Sequence, residues 1–165
     1  MPTASNTVRL RECRPPDFEM LYEIDQACYA PAIAYSRGEL REYLELPGAD
    51  CIVAESGVTM VGFCITSRRA AEGHIITLDV LAPWRRRGVG SMLLAEAERR
   101  LAANGVWRVS LETATDNAPA IAFWNKHGYR TKGVLKRYYP TGLDAWSMSK
   151  TIGAAAQPKK KHAAQ

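Results

Sequence analysis

Arg85-Arg86-Arg87-Gly88-Val89-Gly90 places three cationic side chains directly before two glycines one residue apart, with Ser91, Met92 and Leu93 following at once. The composition alone reads three ways: a basic surface patch, a nucleic-acid contact, or a loop that holds phosphate. Position separates them. "HIITLDVLAP" runs into the motif as a strand would, and Val89, Met92, Leu93, Ala97 and Leu101 beyond it share one helical face. Between a strand end and a helix start, unpaired backbone N–H groups and the positive end of the helix dipole point at whatever docks there. Glycine at 88 and 90 removes side chains that would keep an anion off the backbone. Arg85, Arg86 and Arg87 add charge without all needing to face one way. The predicted ligand is a phosphate or pyrophosphate. A P-loop is excluded because there is no lysine after the glycines, and a dinucleotide-binding turn because a glycine is missing and the neighbouring strands read as antiparallel.

The elements that must position this loop follow from periodicity. "TVRLREC" alternates as a first strand, and "PPDFEMLYEIDQACY" reads as a helix with Phe18, Leu21, Tyr22, Ile24 and Asp25 at helical spacing. Ser36 with Glu39 three residues on forms a capping box that opens a second helix, "RGELREYLEL", stopped by "PGAD". "CIVAES" and "TMVGFCITSRR" flank Gly57-Val58 as an antiparallel hairpin. Asn104-Gly105 ends the helix that begins at the loop. In "VWRVSLET", Trp107, Val109 and Leu111 share one strand face while Arg108, Ser110 and Glu112 share the other. "NAPAIAFWNKHG" is a short helix closed by Gly128. "YRTKGVLKRYY" and "LDAWSMSK" are two last strands joined at "PTG". The order β-α-α-β-β-β-α-β-α-β-β predicts an α/β domain around one mixed, mainly antiparallel sheet.

Composition narrows the class. With 165 residues, 47% apolar and 24% charged, the chain has the size and balance of one soluble globular domain. No apolar run approaches the roughly 18 residues that cross a bilayer, and "MPTASNTVRL" lacks the apolar core of a secretory signal, so a cytoplasmic protein without membrane contact is expected. Cys13, Cys28, Cys51 and Cys64 are too widely spaced for a metal knuckle and read as free thiols in a reducing compartment. His74, His127 and His162 are the only histidines, so no metal site is expected. Removing Lys159, Lys160 and Lys161 from the net charge of +5 leaves +2, too little for a nucleic-acid-binding body. Residues 153–165 read as a disordered basic tail whose weak contact with RNA or a ribosome is the alternative to plain solvation.

The loop and its flanks resemble a known family. Arg85–Gly90 fits the Q/R-x-x-G-x-G/A pyrophosphate loop of the GCN5-related N-acetyltransferase (GNAT) superfamily, which binds acetyl-CoA. "ITLDVLAPWRRRGVGSMLL" is similar to that family's fourth strand, loop and third helix, and "SLETATDNAPAIAFWNKHGY" to its next strand and helix. "KRYYPTGLDAWSM" resembles the ending of its ribosomal-protein alanine N-terminal acetyltransferases, the RimI type. The resemblance covers residues 8–149 and implies a GNAT domain over 1–152. Its fold would be a seven-stranded, mainly antiparallel mixed sheet with four helices and a splayed central strand pair. It implies that Leu78 and Val80 offer backbone groups to the acetyl and pantetheine end of acetyl-CoA. It also implies that Arg85, Arg86, Arg87, Gly88, Val89, Gly90 and Ser91 hold the pyrophosphate, and that Asn117 contacts the pantetheine arm.

Acetyl transfer to an amine needs a neutral amine, close approach to the thioester and stabilised charge at the carbonyl oxygen. Glu112, near its strand end and matching the family's glutamate, is the expected general base. The backbone N–H of Val80 or a neighbour is a candidate for the oxyanion. The branch's acidic tyrosine is replaced by Trp124, whose indole donates a hydrogen bond but transfers no proton; the acid is then Tyr129, Tyr138 or Tyr139, or the thiolate leaves unaided. By resemblance, Tyr138 and Tyr139 line a peptide slot, with Tyr35 on its other wall, although alternation along a strand would turn one of the first two inward. The expected reaction is acetyl transfer from acetyl-CoA to the α-amine of a protein N-terminus, a ribosomal protein among the candidates. A small-molecule amine, a lysine side chain or a non-catalytic acetyl-CoA-binding regulatory module are the alternatives. Oligomeric state is not fixed by these patterns.

Overall fold

The computed structural model describes residues 7–153; the basic tail with its lysines at 159–161 lies outside the described residues. Strand β1 (Val8–Glu12) leads through a 3-10 turn (Pro15–Asp17) into α1 (Phe18–Cys28) and α2 (Arg37–Glu45). Strands β2 (Asp50–Ser56), β3 (Thr59–Arg69) and β4 (Glu72–Val80) follow. Then come α3 (Val89–Ala103), β5 (Arg108–Ala114), α4 (Ala118–Lys126), β6 (Arg130–Leu135) and β7 (Ala145–Thr151). One seven-stranded sheet runs in the order β1-β2-β3-β4-β5-β7-β6. Only β4 and β5 are parallel neighbours.

Local chemistry explains the boundaries. Ser36 accepts the backbone N–H of Glu39 at 3.1 Å and Glu39 accepts that of Ser36 at 3.2 Å, so two donors at the start of α2 are satisfied reciprocally. Gly105, at φ 83°, takes the left-handed turn that closes α3 after Asn104. Each sheet face has its own core. Helices α3 and α4 bury Leu93, Leu94, Ala97, Leu101 and Trp124 against Val109, Leu111 and Met148. Helices α1 and α2 bury Leu21, Ile24 and Leu40 against Val53, Phe63 and Ile65. The α3 stripe is rotated slightly from the expected one: Leu94 is buried and Met92 is 39% exposed. Beside this stripe Arg100 gathers Glu12, Asp50 and Glu96.

The feature that positions the site is a defect in the sheet. β4 and β5 pair only through Glu72↔Arg108, Gly73↔Val109 and His74↔Ser110. On the other side of β4 the register shifts between Ile65↔Thr77 and Thr66↔Ile75, leaving Ile76 as an extra residue. Such a bulge bends its strand, and beyond it β4 and β5 no longer bond.

Beneath the bent end of β4, two carboxyl groups meet in the α1-side core. Asp25 (0% exposed) and Asp79 (1% exposed) each keep one buried oxygen with no donor, Oδ1 and Oδ2 respectively. Their other oxygens are taken: Asp25 Oδ2 accepts the backbone N–H of Tyr35 at 2.7 Å, and Asp79 Oδ1 accepts the Thr77 hydroxyl. One proton between the two free oxygens satisfies both, because two like charges cannot ionise together in so dry a place. Burial first, and Asp25 second, hold the Asp79 carboxyl well above the usual carboxylate range.

A folded-state value above the unfolded one means that this group's contribution is complete below about pH 3.9 and is lost as pH rises toward the folded value. Asp79→Asn supplies a permanent N–H donor to Asp25 and has no such loss. Urea unfolding between pH 5 and pH 8 is expected to show the variant gaining stability relative to the unsubstituted chain as pH rises. Parallel pH curves for the two proteins would refute the shared proton.

Candidate active site

The alternation of hydrogen bonds in an antiparallel pair assigns the backbone of β4 group by group. The N–H of Leu81 donates to the carbonyl of Val61 at 2.9 Å, and Val80 stands opposite Gly62 with Leu78 opposite Cys64. Val80 and Leu78 therefore turn their N–H and C=O away from β3, toward the gap that β5 has left. The Val80 carbonyl is met there by side chains, accepting Arg85 Nε at 2.9 Å and the Cys28 thiol at 3.5 Å. Burial pushes that thiol up to about 11. The N–H of Val80 and both groups of Leu78 stay available to a ligand in the gap.

The glycine–arginine loop follows at once, after a 3-10 turn (Ala82–Trp84). Arg86 (φ 62°) and Gly88 (φ 83°) are both left-handed, and turns of this kind curl successive N–H groups inward around an anion. The first backbone bond of the helix runs from Met92 N–H to Gly88 O at 3.0 Å, so the N–H groups of Val89, Gly90 and Ser91 come before the helical ladder begins. The three arginines divide their work. Arg85 is held to Val80, Arg86 carries the left-handed bend, and the Arg87 guanidinium lies 5.1 Å from the centre of the Trp84 ring. Gly90 has a second reason to lack a side chain: a Cβ there would stand 3.2 Å from Phe123 Cε2, so α3 and α4 approach closely only with glycine. Ser91 is tied to α4 as well, its Oγ lying 3.0 Å from His127 Nε2. Burial, with Lys126 second, holds His127 below its ordinary value.

Asn117 caps α4, its side-chain oxygen accepting the N–H of Ala120 at 3.2 Å, which leaves the amide nitrogen as the group it can offer outward. Glu112 lies on the α1-side face of β5 and is 24% exposed. Arg108, on the same strand face, pairs with Glu72 across the strands, at 2.9 Å. The partner Glu112 does have is His74 of β4, with Nε2 2.6 Å from Oε2. Nothing in the sequence pattern singled out His74; the β4–β5 register that brings it beside Glu112 is the only signal, and it is a tertiary one.

Three phenols lie close enough to feel the charge of Glu112. Burial raises the hydroxyls of Tyr138 and Tyr139, the latter to about 12, and the Glu112 carboxylate adds to both shifts. Tyr43 of α2, absent from the sequence-based set, is raised by burial, by Glu39 and also by Glu112. Its ring stands 4.8 Å from that of Tyr35. Tyr35 is fixed at three points: its N–H on Asp25, its carbonyl on Gln26 and its hydroxyl donating to Ile76 O at 3.3 Å. Its ring is a wall rather than a free donor.

Two expectations are corrected. β6 ends at Leu135, so Tyr138 and Tyr139 belong to the β6–β7 connection and strand alternation does not govern them. Their rings meet edge to face at 5.0 Å, and Tyr138 is 48% exposed. Asp144 braces this connection by accepting Lys136 Nζ and the backbone N–H of Arg137. Tyr129, in turn, is no candidate acid: it is 0% exposed and its hydroxyl donates to Glu98 at 3.3 Å. Trp124 packs edge-on against both Phe123 and Tyr129 within the α3–α4 core. Among the described residues no group of three or more His, Cys, Asp and Glu could hold a metal ion.

Together these parts form an open strand edge that can receive an extended polar chain, an anion cradle at one end of it, and, beside it, a carboxylate near three phenols. A profile of the Acetyltransferase (GNAT) family matches residues 18–129. The chain is 35% identical over 115 residues to the N-alpha-acetyltransferase RimI of Mycobacterium tuberculosis, covering 67% of this chain and 71% of that one. It is 37% identical over 79 residues to an N-alpha-acetyltransferase of Sulfolobus acidocaldarius, 47% of each chain. The chain spans about half the length of several curated relatives that it matches. The crystal structure of the ribosomal-protein-S18-alanine N-acetyltransferase from Escherichia coli superposes with a TM-score of 0.80 at 25% identity, over 89% of this chain and 95% of that one.

The packing of Trp124 gives a direct test. Trp124→Ala is expected to destabilise the protein by about 3–5 kcal/mol in urea unfolding, as for other large core aromatics. A loss under about 1 kcal/mol would place the indole in the site instead of the core.

Proposed function

The chain belongs to the GNAT family of acetyltransferases, and from that premise we propose that it transfers the acetyl group of acetyl-CoA to the α-amine of a protein N-terminus. The observation that carries this reading is the open edge of β4. Leu78 and Val80 present backbone groups to the gap, and the same strand leads directly into the anion cradle at the start of α3. An elongated ligand with an amide-containing arm and a pyrophosphate fits that sequence of donors and acceptors. Leu78 and the Asn117 amide would hold the arm, and Arg86, Gly88, Val89, Gly90 and Ser91 the pyrophosphate. Arg85 contributes by fixing the Val80 carbonyl, and Arg87 by its charge.

When bound, acetyl-CoA supplies the acetyl group as an activated thioester. The chain's own residues supply the rest. A protein α-amine has a pKa of about 7.7–8.0, so near neutral pH it must lose a proton before attack. Glu112 accepts that proton directly or through one water. The Val80 N–H is aimed into the gap, where negative charge grows on the carbonyl oxygen. Burial keeps Tyr138 and Tyr139 protonated, so either can donate toward the departing sulfur, whose conjugate thiol has a pKa near 8.5 and needs little help. Tyr35, Tyr43, Tyr138 and Tyr139 line the approach for the acceptor chain. The name of the Mycobacterium tuberculosis relative and the S18-alanine acetyltransferase neighbour support an N-terminal amine, that of a ribosomal protein included.

Incubation with acetyl-CoA and a panel of peptides is expected to release CoA with free N-termini. N-terminally blocked lysine peptides, polyamines and aminoglycosides should give none. Turnover confined to the blocked peptides or small amines would overturn the acceptor assignment. Glu112→Gln is expected to lower kcat by roughly 100-fold at pH 7 with the KM for acetyl-CoA unchanged. The deficit should narrow above pH 8, where the amine is neutral without help. A deficit that is constant with pH would remove Glu112 as the base.

A further inference from the structure

We infer that His74 is a positioning residue for acetyl transfer: it grips one oxygen of Glu112 so that the other faces the acceptor amine. The inference rests on the acetyl-transfer reading above. An ionised carboxylate only accepts hydrogen bonds, so at 2.6 Å the imidazole Nε2–H donates to Glu112 Oε2. Oε1 makes no hydrogen bond to another described residue. A glutamate side chain has freely rotating bonds. With Oε2 held, Oε1 has one direction to present, and presentation of a reacting group is where much of the catalytic advantage of a site lies.

The position of the pair explains why this contact exists. His74↔Ser110 is the last backbone pairing between β4 and β5, and Glu112 follows two residues later on the same face as Ser110. The His74–Glu112 bond therefore extends the ladder by one side-chain rung across the mouth of the splay. One rung below, the Arg108–Glu72 ion pair occupies the nearest cation on β5, so Arg108 does not compete for Glu112. The Glu112 charge reaches the phenols of Tyr43 from α2 and of Tyr138 and Tyr139 from the β6–β7 connection, and Ser67 of β3 stands opposite His74.

Two measurements test this. Imidazole nitrogen NMR, without any acetyl donor, is expected to show a hydrogen-bonded His74 Nε2–H whose signal shifts in Glu112→Ala, because the 2.6 Å contact to Oε2 is lost. In peptide acetylation, His74→Ala is expected to lower kcat roughly 10- to 100-fold, the worth of one hydrogen bond to a charged group, with the KM for acetyl-CoA unchanged. His74→Gln keeps an N–H donor and should recover most of that loss. A His74 Nε2–H signal indifferent to Glu112→Ala overturns the inference, as does His74→Ala matching the unsubstituted protein, or His74→Gln no better than His74→Ala. An unsubstituted protein that acetylates no amine overturns the acetyl-transfer reading and this inference with it. An active one with unaffected His74 variants overturns this inference alone.

Discussion

The arrangement of this protein depends on one interrupted ladder. A backbone N–H or C=O that loses its partner in a sheet must find another, because leaving it buried and unpaired costs about as much as a lost hydrogen bond. β4 and β5 pair over three residues and then part at the Ile76 bulge. The proposed site is arranged along the groups so released. The Val80 carbonyl is satisfied by Arg85 and Cys28, and the Ile76 carbonyl by Tyr35. What is left over, the Val80 N–H and the peptide groups of Leu78, forms the edge to which the extended arm of a donor molecule can add as a strand would. The site is less a pocket carved by side chains than a sheet left unfinished.

An unfinished sheet is an unstable object unless its loose strand is held from behind. Here the holding is polar and buried. Asp25 and Asp79 meet under β4, and Asp25 also fixes the Tyr35 backbone, so α1, the following loop and the loose strand are tied together. On the opposite face, Gly90 lets α3 close on Phe123, and Ser91 reaches His127, so the anion cradle is braced by α4. The His74–Glu112 contact bridges the point where the strands separate. Each brace joins elements distant in sequence, and each leaves the gap itself open.

Much of the local architecture was legible from residue types. The Ser36–Glu39 box, the Asn104-Gly105 helix end and the hairpin at Gly57-Val58 are decided by neighbours a few residues apart, and local chemistry dictates them. The place of the glycine–arginine loop between a strand end and a helix start was legible for the same reason. What eluded pattern reading depends on register. His74 gains its meaning only from lying opposite Ser110, Tyr43 only from the packing of α2 over the open face, and the Asp25–Asp79 pair only from α1 crossing β4. The strand-like run through Tyr138 and Tyr139 misled because alternation continues past Leu135, whereas Asp144 captures Lys136 and the Arg137 N–H and folds the chain away from the sheet. Trp124 sat at a position that resemblance marked as chemical; its partners Phe123 and Tyr129 make it structural.

Amide hydrogen exchange, followed residue by residue with and without acetyl-CoA, tests the open edge of β4 most directly. Thr77 and Asp79, whose N–H groups point to β3, are expected to exchange slowly in both conditions. Leu78 and Val80 should exchange rapidly in the free protein and become protected only when acetyl-CoA is bound. Unchanged exchange at Leu78 and Val80 in a protein saturated with acetyl-CoA would contradict the account.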